Sequence, residues 1–72
     1  MAATVSSGID RFRKGSAVRI NTRTISGKQF CADHNNDADL ATVHRVEPAN
    51  NVIYLMTKKG VRPIAPDFVS PL

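Results

Sequence analysis

The apolar positions of this chain recur with the period of strands, not of helices. Ala17-Val18-Arg19-Ile20-Asn21-Thr22 alternates, with Val18 and Ile20 on one face and Arg19 on the other. Leu40 to Val46 is rich in Val and Thr and reads as a second strand. Asn51 to Thr57 is the strongest, with five consecutive apolar residues that include β-branched and aromatic side chains. Val61-Arg62-Pro63-Ile64 makes a fourth, and Phe68-Val69 a short last one that Pro71 ends.

The connections carry turn chemistry. Pro48-Ala49-Asn50-Asn51 joins the second and third strands, proline setting φ at the corner and asparagine tolerating positive φ. Lys58-Lys59-Gly60 closes a tight hairpin into the fourth strand. Ala65-Pro66-Asp67-Phe68 reads as a short turn or one 3₁₀ turn. Residues 22–38 run long and polar, interrupted by Ile25 and by Phe30, and read as a long loop. Residues 1–12 have no periodicity and read as a flexible N-terminal arm, leaving 13–72 as the folded domain.

Five short strands in 72 residues bury one face most economically by closing on themselves, which removes exposed edges. The expected fold is therefore all-β, a single five-stranded SH3-like small barrel with a long loop after the first strand; an open meander that closes only in an oligomer is the alternative. The expected core is Val18, Ile20, Phe30, Leu40, Val43, Val46, Ile53, Leu55, Ile64, Phe68 and Val69. Val52, Tyr54 and Met56 would then occupy the other face of the third strand.

"KGSAVRI" resembles the opening of many SH3-like barrels, and "GVRPIAPDFVSPL" resembles their close: a strand, a short turn with Asp, and a final Val-bearing strand. Such openings and endings are similar to those of the KOW-type modules of ribosomal and transcription proteins, of the small barrel subunit of photosystem I, and of the variable chain of ferredoxin–thioredoxin reductase. The first likeness implies nucleic-acid binding. The other two imply a docking subunit near electron-transfer proteins, with no cofactor of its own.

Size and composition narrow the field. A domain this small buries only about 60% of its unfolded surface and is marginal without help. No disulfide can form within the chain, because Cys31 is its only cysteine; that suits a reducing compartment, and Cys31 reads as a packing or surface residue. The longest apolar run, Val52 to Met56, is far short of the ~20 residues a helix needs to cross a bilayer. The N-terminus lacks the basic-then-apolar pattern of a secretory signal. A cytoplasmic protein is expected.

Net charge is +4 and unevenly spread. Residues 1–30 carry a balance of +5, residues 31–47 a balance of −3, and residues 48–72 a balance of +2. Arg11, Arg13, Lys14, Arg19, Lys58, Lys59 and Arg62 could converge on one basic face that neutralises phosphates, with Tyr54 and Phe12 as stacking rings. Val52, Tyr54, Met56 and Pro63 form a second candidate surface, apolar and suited to a protein partner.

Candidate chemistry adds little. In "CADHNNDADLATVHR", Asp33, Asn35, Asp37 and Asp39 alternate like a calcium loop, but the sixth position is Ala38, not Gly, and the twelfth is His44, not Glu. Cys31, His34 and His44 do not form the paired spacing of a zinc site. A polar loop capped by its own Asp and Asn side chains is the better reading. No nucleophile elbow, paired carboxylates or phosphate loop is visible. The expectation is a non-enzymatic module without a cofactor that docks on a larger protein assembly; the alternative is a nucleic-acid-binding barrel. No membrane partner is expected, and the oligomeric state stays open.

Overall fold

A computed structural model describes residues 9–72. Strand dominates: β1 (Ala17–Ile20), β2 (Leu40–Glu47), β3 (Val52–Thr57), β4 (Gly60–Ile64) and β5 (Val69–Pro71) form one antiparallel sheet in the order β4-β3-β2-β1-β5. β4 and β5 are its edges, and the ladder is not closed. Among the described residues 3₁₀ turns form at Ile9–Arg11, Pro48–Asn50 and Pro66–Phe68. Among the described residues no helix is long and apolar enough to cross a membrane.

The sheet's inner face holds the core: Val18, Ile20, Val43, Ile53, Leu55, Ile64 and Val69 are buried, with Ala41, Val46 and Phe68 packed against them. Val43 and Val46 are three residues apart, so simple alternation would put them on opposite faces. A β-bulge between Val43 and Arg45 absorbs the extra residue. It returns Val46 to the core and turns Arg45 outward. Leu40, expected in the core, instead lies on the outer face, 47% exposed. It sits at an odd step from Ala41 and Val43, whose inner placement dictates its own.

The long loop expected after β1 is not a loop. Ile25–His34 forms a helix, α1. Thr24 caps it, its hydroxyl oxygen accepting from the Gly27 N–H at 3.0 Å and donating to the Asn21 carbonyl at 2.8 Å. Only a narrow stripe is buried: Gly27, Phe30 and Cys31, followed by Asn35 at the exit. His34 is half-buried, its ring edge-on to Phe30 at 4.9 Å, and the other positions, including Ile25 at 88% exposure, face outward.

Part of the expected N-terminal arm is also packed. Ile9 and Phe12 are buried in the core, and the Phe12 N–H donates to the Ile9 carbonyl at 3.2 Å. The other positions expected in that arm, residues 1–8, lie outside the described residues. Gly15, at φ 88°, makes the corner into β1, and its N–H reaches the Val43 carbonyl at 2.8 Å.

Candidate functional site

Register assigns the outer face residue by residue, because partners directly opposite share a face. Ala17 stands opposite Thr42, Thr42 opposite Met56, and Met56 opposite Val61. On the β5 side the Leu72 N–H meets the Ala17 carbonyl at 3.4 Å. An uncharged row of Ala17, Thr42, Met56 and Val61 thus crosses β1 to β4, and Leu72, the residue after β5, extends it on the far side. Two of its apolar members are strongly exposed, Met56 at 47% and Leu72 at 69%. On one flank Ser70, Arg19 and Leu40 are in register, and on the other Arg45, Tyr54 and Pro63. Val52, opposite Glu47, completes the face. Val52, Tyr54, Met56 and Pro63 therefore share this one surface, while Ile53 and Leu55 point to the core.

Tyr54 is the least free of them. The Arg45 guanidinium lies over its ring, 4.1 Å from the centroid. Arg45 Nη1 also donates to Glu47 Oε2 at 2.6 Å, and Asn50 Nδ2 donates to Glu47 Oε1 at 2.8 Å. The Tyr54 hydroxyl closes the group at 3.5 Å from the same oxygen. The bond from Asn50, then that from Arg45, hold the Glu47 carboxyl below the usual carboxylate range.

The seven cations singled out in the sequence are distributed over several elements. Arg13 and Lys14 are exposed in the turn before β1. The Arg11 guanidinium lies 5.5 Å from the Phe12 ring centroid, and that ring is buried, so Phe12 is a core residue and not a stacking surface. Arg19 points outward and pairs with Asp39 at 3.5 Å. Lys58 and Lys59 form the exposed tip of the β3–β4 hairpin. Arg62 stands opposite buried Leu55, on the core-side register of the edge strand, and Nη1 donates to the Val61 carbonyl at 3.1 Å. Arg19 and Arg62 thus belong to opposite faces of the sheet.

A shallow open cleft of about 200 Å³ flanks the outer face beyond β1. Arg19, Ile20, Asn21, Thr22, Arg23, Asp39 and Ser70 line it. Arg23 was not among the sequence candidates. It sits in the polar stretch between β1 and α1, where only the helix cap, invisible to strand periodicity, brings it beside Arg19.

The alternating Asp and Asn residues have a conformational explanation. Asn36 and Asp37 adopt left-handed φ values of 51° and 67°, a region these residues tolerate. Both the Asn35 and the Asp37 N–H donate to the Cys31 carbonyl, at 3.0 and 2.9 Å. Among the described residues no three His, Cys, Asp or Glu side chains gather as a metal site. Cys31 is buried; desolvation, then the charges of Asp39 and Asp37, push its thiol up from the ordinary range.

Comparison of the chain with protein-family models, with curated proteins and with solved structures finds no match.

Proposed function

We propose that this chain is a non-enzymatic accessory module of SH3-like small-barrel design that works in the cytoplasm and docks on a larger protein assembly through the outer face of its sheet. The strand order and the 3₁₀ turn before the last strand support the fold part of this reading. β4 and β5 are the edges whose approach would complete such a barrel.

The observation that carries the docking reading is the uncharged row from Leu72 to Val61. Isolated surface apolar residues are normal. These are in register on neighbouring strands, so they form one strip roughly 19 Å across at the usual strand spacing. Contiguous exposed apolar surface on a small domain marks contact sites.

The nucleic-acid alternative has net charge in its favour and the aromatic residues against it. Phe12 and Phe30 are buried, Phe68 packs on the core, and one face of Tyr54 is covered by Arg45. Binding of single strands draws much of its affinity from open aromatic faces.

The test is co-purification of the tagged full chain beside a Met56→Lys/Val61→Lys variant and a Lys58→Glu/Lys59→Glu variant. Docking predicts a defined partner set that the first variant loses and the second keeps. Partners indifferent to charges on the outer face would remove the reading. Salt-sensitive DNA or RNA binding abolished by the second variant would replace it with the nucleic-acid one.

A further inference from the structure

The cleft beside the outer face has a charge that the apolar row lacks. Two guanidinium groups and one carboxylate line it, a balance of +1. Arg19 Nε lies 3.5 Å from Asp39 Oδ2, and the Arg19 side chain stays 59% exposed. The Arg23 guanidinium has no partner among the described residues; only its backbone N–H is engaged, donating to Asn21 Oδ1 at 3.0 Å. Ser70, opposite Arg19 on β5, adds a hydroxyl to the same wall. Two planar forks with a hydroxyl suit a singly charged oxyanion.

Two chemistries carry that charge, a carboxylate and a phosphodiester. The surroundings favour the carboxylate. Among the described residues no open ring pair borders the cleft to hold bases, whereas Leu40 stands opposite Arg19 and is 47% exposed. Rows on one face of a strand are about 6.7 Å apart, the spacing of residues i and i+2 in an extended segment. A segment that places a carboxylate at Arg19 therefore reaches the Ala17 and Leu72 row with its next residue on that side.

We infer that the docking partner presents an acidic residue with an apolar one two positions away in an extended segment, the carboxylate seating between Arg19 and Arg23 while that apolar residue lies on the row of Ala17 and Leu72. This rests on the outer-face docking proposed above and specifies its partner.

The test is an amide and arginine Nε–H chemical-shift titration of the full chain with three probes at low and physiological salt. They are acetyl-Glu-Ser-Leu-Ser-Leu-amide, its Gln-for-Glu counterpart, and a short oligothymidylate. The expected result is binding of the Glu peptide about tenfold tighter than the Gln peptide at low salt, with shifts at Arg19, Arg23 and Ser70. The difference should disappear in Arg23→Gln, whose exposed side chain supports no other described contact. Equal binding of both peptides with shifts at Met56 and Val61 would overturn the carboxylate inference and leave docking intact. Tighter binding of the oligonucleotide at Arg19 and Arg23 would overturn it in favour of phosphodiester. No shift with either peptide would overturn it too, and docking would then stand or fall on the Met56→Lys/Val61→Lys comparison.

Discussion

The side-chain oxygen of Asn35 accepts the backbone N–H of Lys58 at 3.0 Å, across 23 residues of sequence. The same amide's Nδ2 donates to the Leu40 carbonyl at 2.8 Å and the Ala38 carbonyl at 3.1 Å. The Lys59 N–H meets the His34 carbonyl at 3.1 Å alongside. One asparagine, 3% exposed, thereby joins the end of α1, the start of β2 and the tip of the β3–β4 hairpin. Those attachments hold the lysine tip in place and bring Asp39 to its position beside Arg19.

Asn35→Ala should destabilise the chain by about 2–4 kcal/mol, since it leaves the Leu40 carbonyl and the Lys58 N–H without their partner in a part-buried site. Asn35→Asp keeps the acceptor for Lys58 but aims a carboxylate at two carbonyl oxygens, so at neutral pH it should be no more stable than the alanine variant. Urea unfolding decides this: the midpoint should fall with the slope unchanged. A loss of stability below about 0.5 kcal/mol would mean that water replaces the amide without cost.

Gly27 is fixed by space, not by φ. A Cβ there would drive into the Asn21 carbonyl and crowd the Thr24 hydroxyl that caps α1. Glycine inside a helix ordinarily costs up to about 1 kcal/mol relative to alanine, so in an open helix Gly27→Ala would stabilise. Here it should destabilise by about 2 kcal/mol or more, the cost of overpacking against backbone. It should also shift the amides of Asn21 to Thr24 in a heteronuclear correlation spectrum. A stabilised variant would show that α1 can slide away from β1 freely.

That glycine also shows why α1 was hard to read from the sequence. Strand periodicity is a local signal: it sets Val18 with Ile20 and Ile53 with Leu55 on common faces, but for the third strand it does not say which face turns inward. The helix Ile25–His34 has no such signal: its apolar and polar residues are spread almost evenly around the axis, with Ile25 outward and a glycine inward. Its buried stripe is Gly27, Phe30 and Cys31, of which only Phe30 is a large apolar residue. The cleft was illegible for the same reason, because Arg23 joins Arg19 only through the turn that starts this helix. Alternation grouped Val52, Tyr54 and Met56 on one face of the third strand, without saying which face turns outward, and Pro63 joins them only through register with Tyr54. The cross-strand row was not legible, because the partners Ala17, Thr42 and Leu72 are chosen by register, and the bulge before Arg45 resets that register midway along β2.

Cys31 should be unreactive in the folded chain. Its thiol is buried on α1, and desolvation, with the Asp39 and Asp37 charges, raises its pKa. The thiolate is the nucleophile, so alkylation by iodoacetamide at pH 8 should be at least tenfold slower in the native than in the urea-unfolded protein, by about the factor that burial and the loss of thiolate supply together. The sign for stability follows from a folded-state pKa above the unfolded one. The contribution is fully present below the unfolded thiol pKa and is lost as pH rises through the folded one. Native and unfolded rates that coincide would place the thiol at the surface.

Glu47 gives the opposite pH dependence. Its carboxylate accepts from Asn50, Arg45 and Tyr54, and the first two hold its pKa below the ordinary range. A depressed folded-state pKa contributes stability that is present above the unfolded value, about 4.3 for a glutamate, and is lost as pH falls through the folded value. Melting temperature should therefore decline through that acidic window in the wild type, and Glu47→Gln should flatten part of the decline. Asn50→Ala removes the largest cause of the shift while leaving the carboxylate, so it should move the Glu47 titration, followed by side-chain carboxyl NMR, back toward the ordinary value. Arg45→Ala, which removes both a hydrogen bond and a nearby positive charge, should move it the same way and also uncover the Tyr54 ring. If the Glu47 titration is unmoved by Asn50→Ala, the turn at Pro48–Asn50 does not hold this carboxylate in solution, and Tyr54 is free to take part in docking.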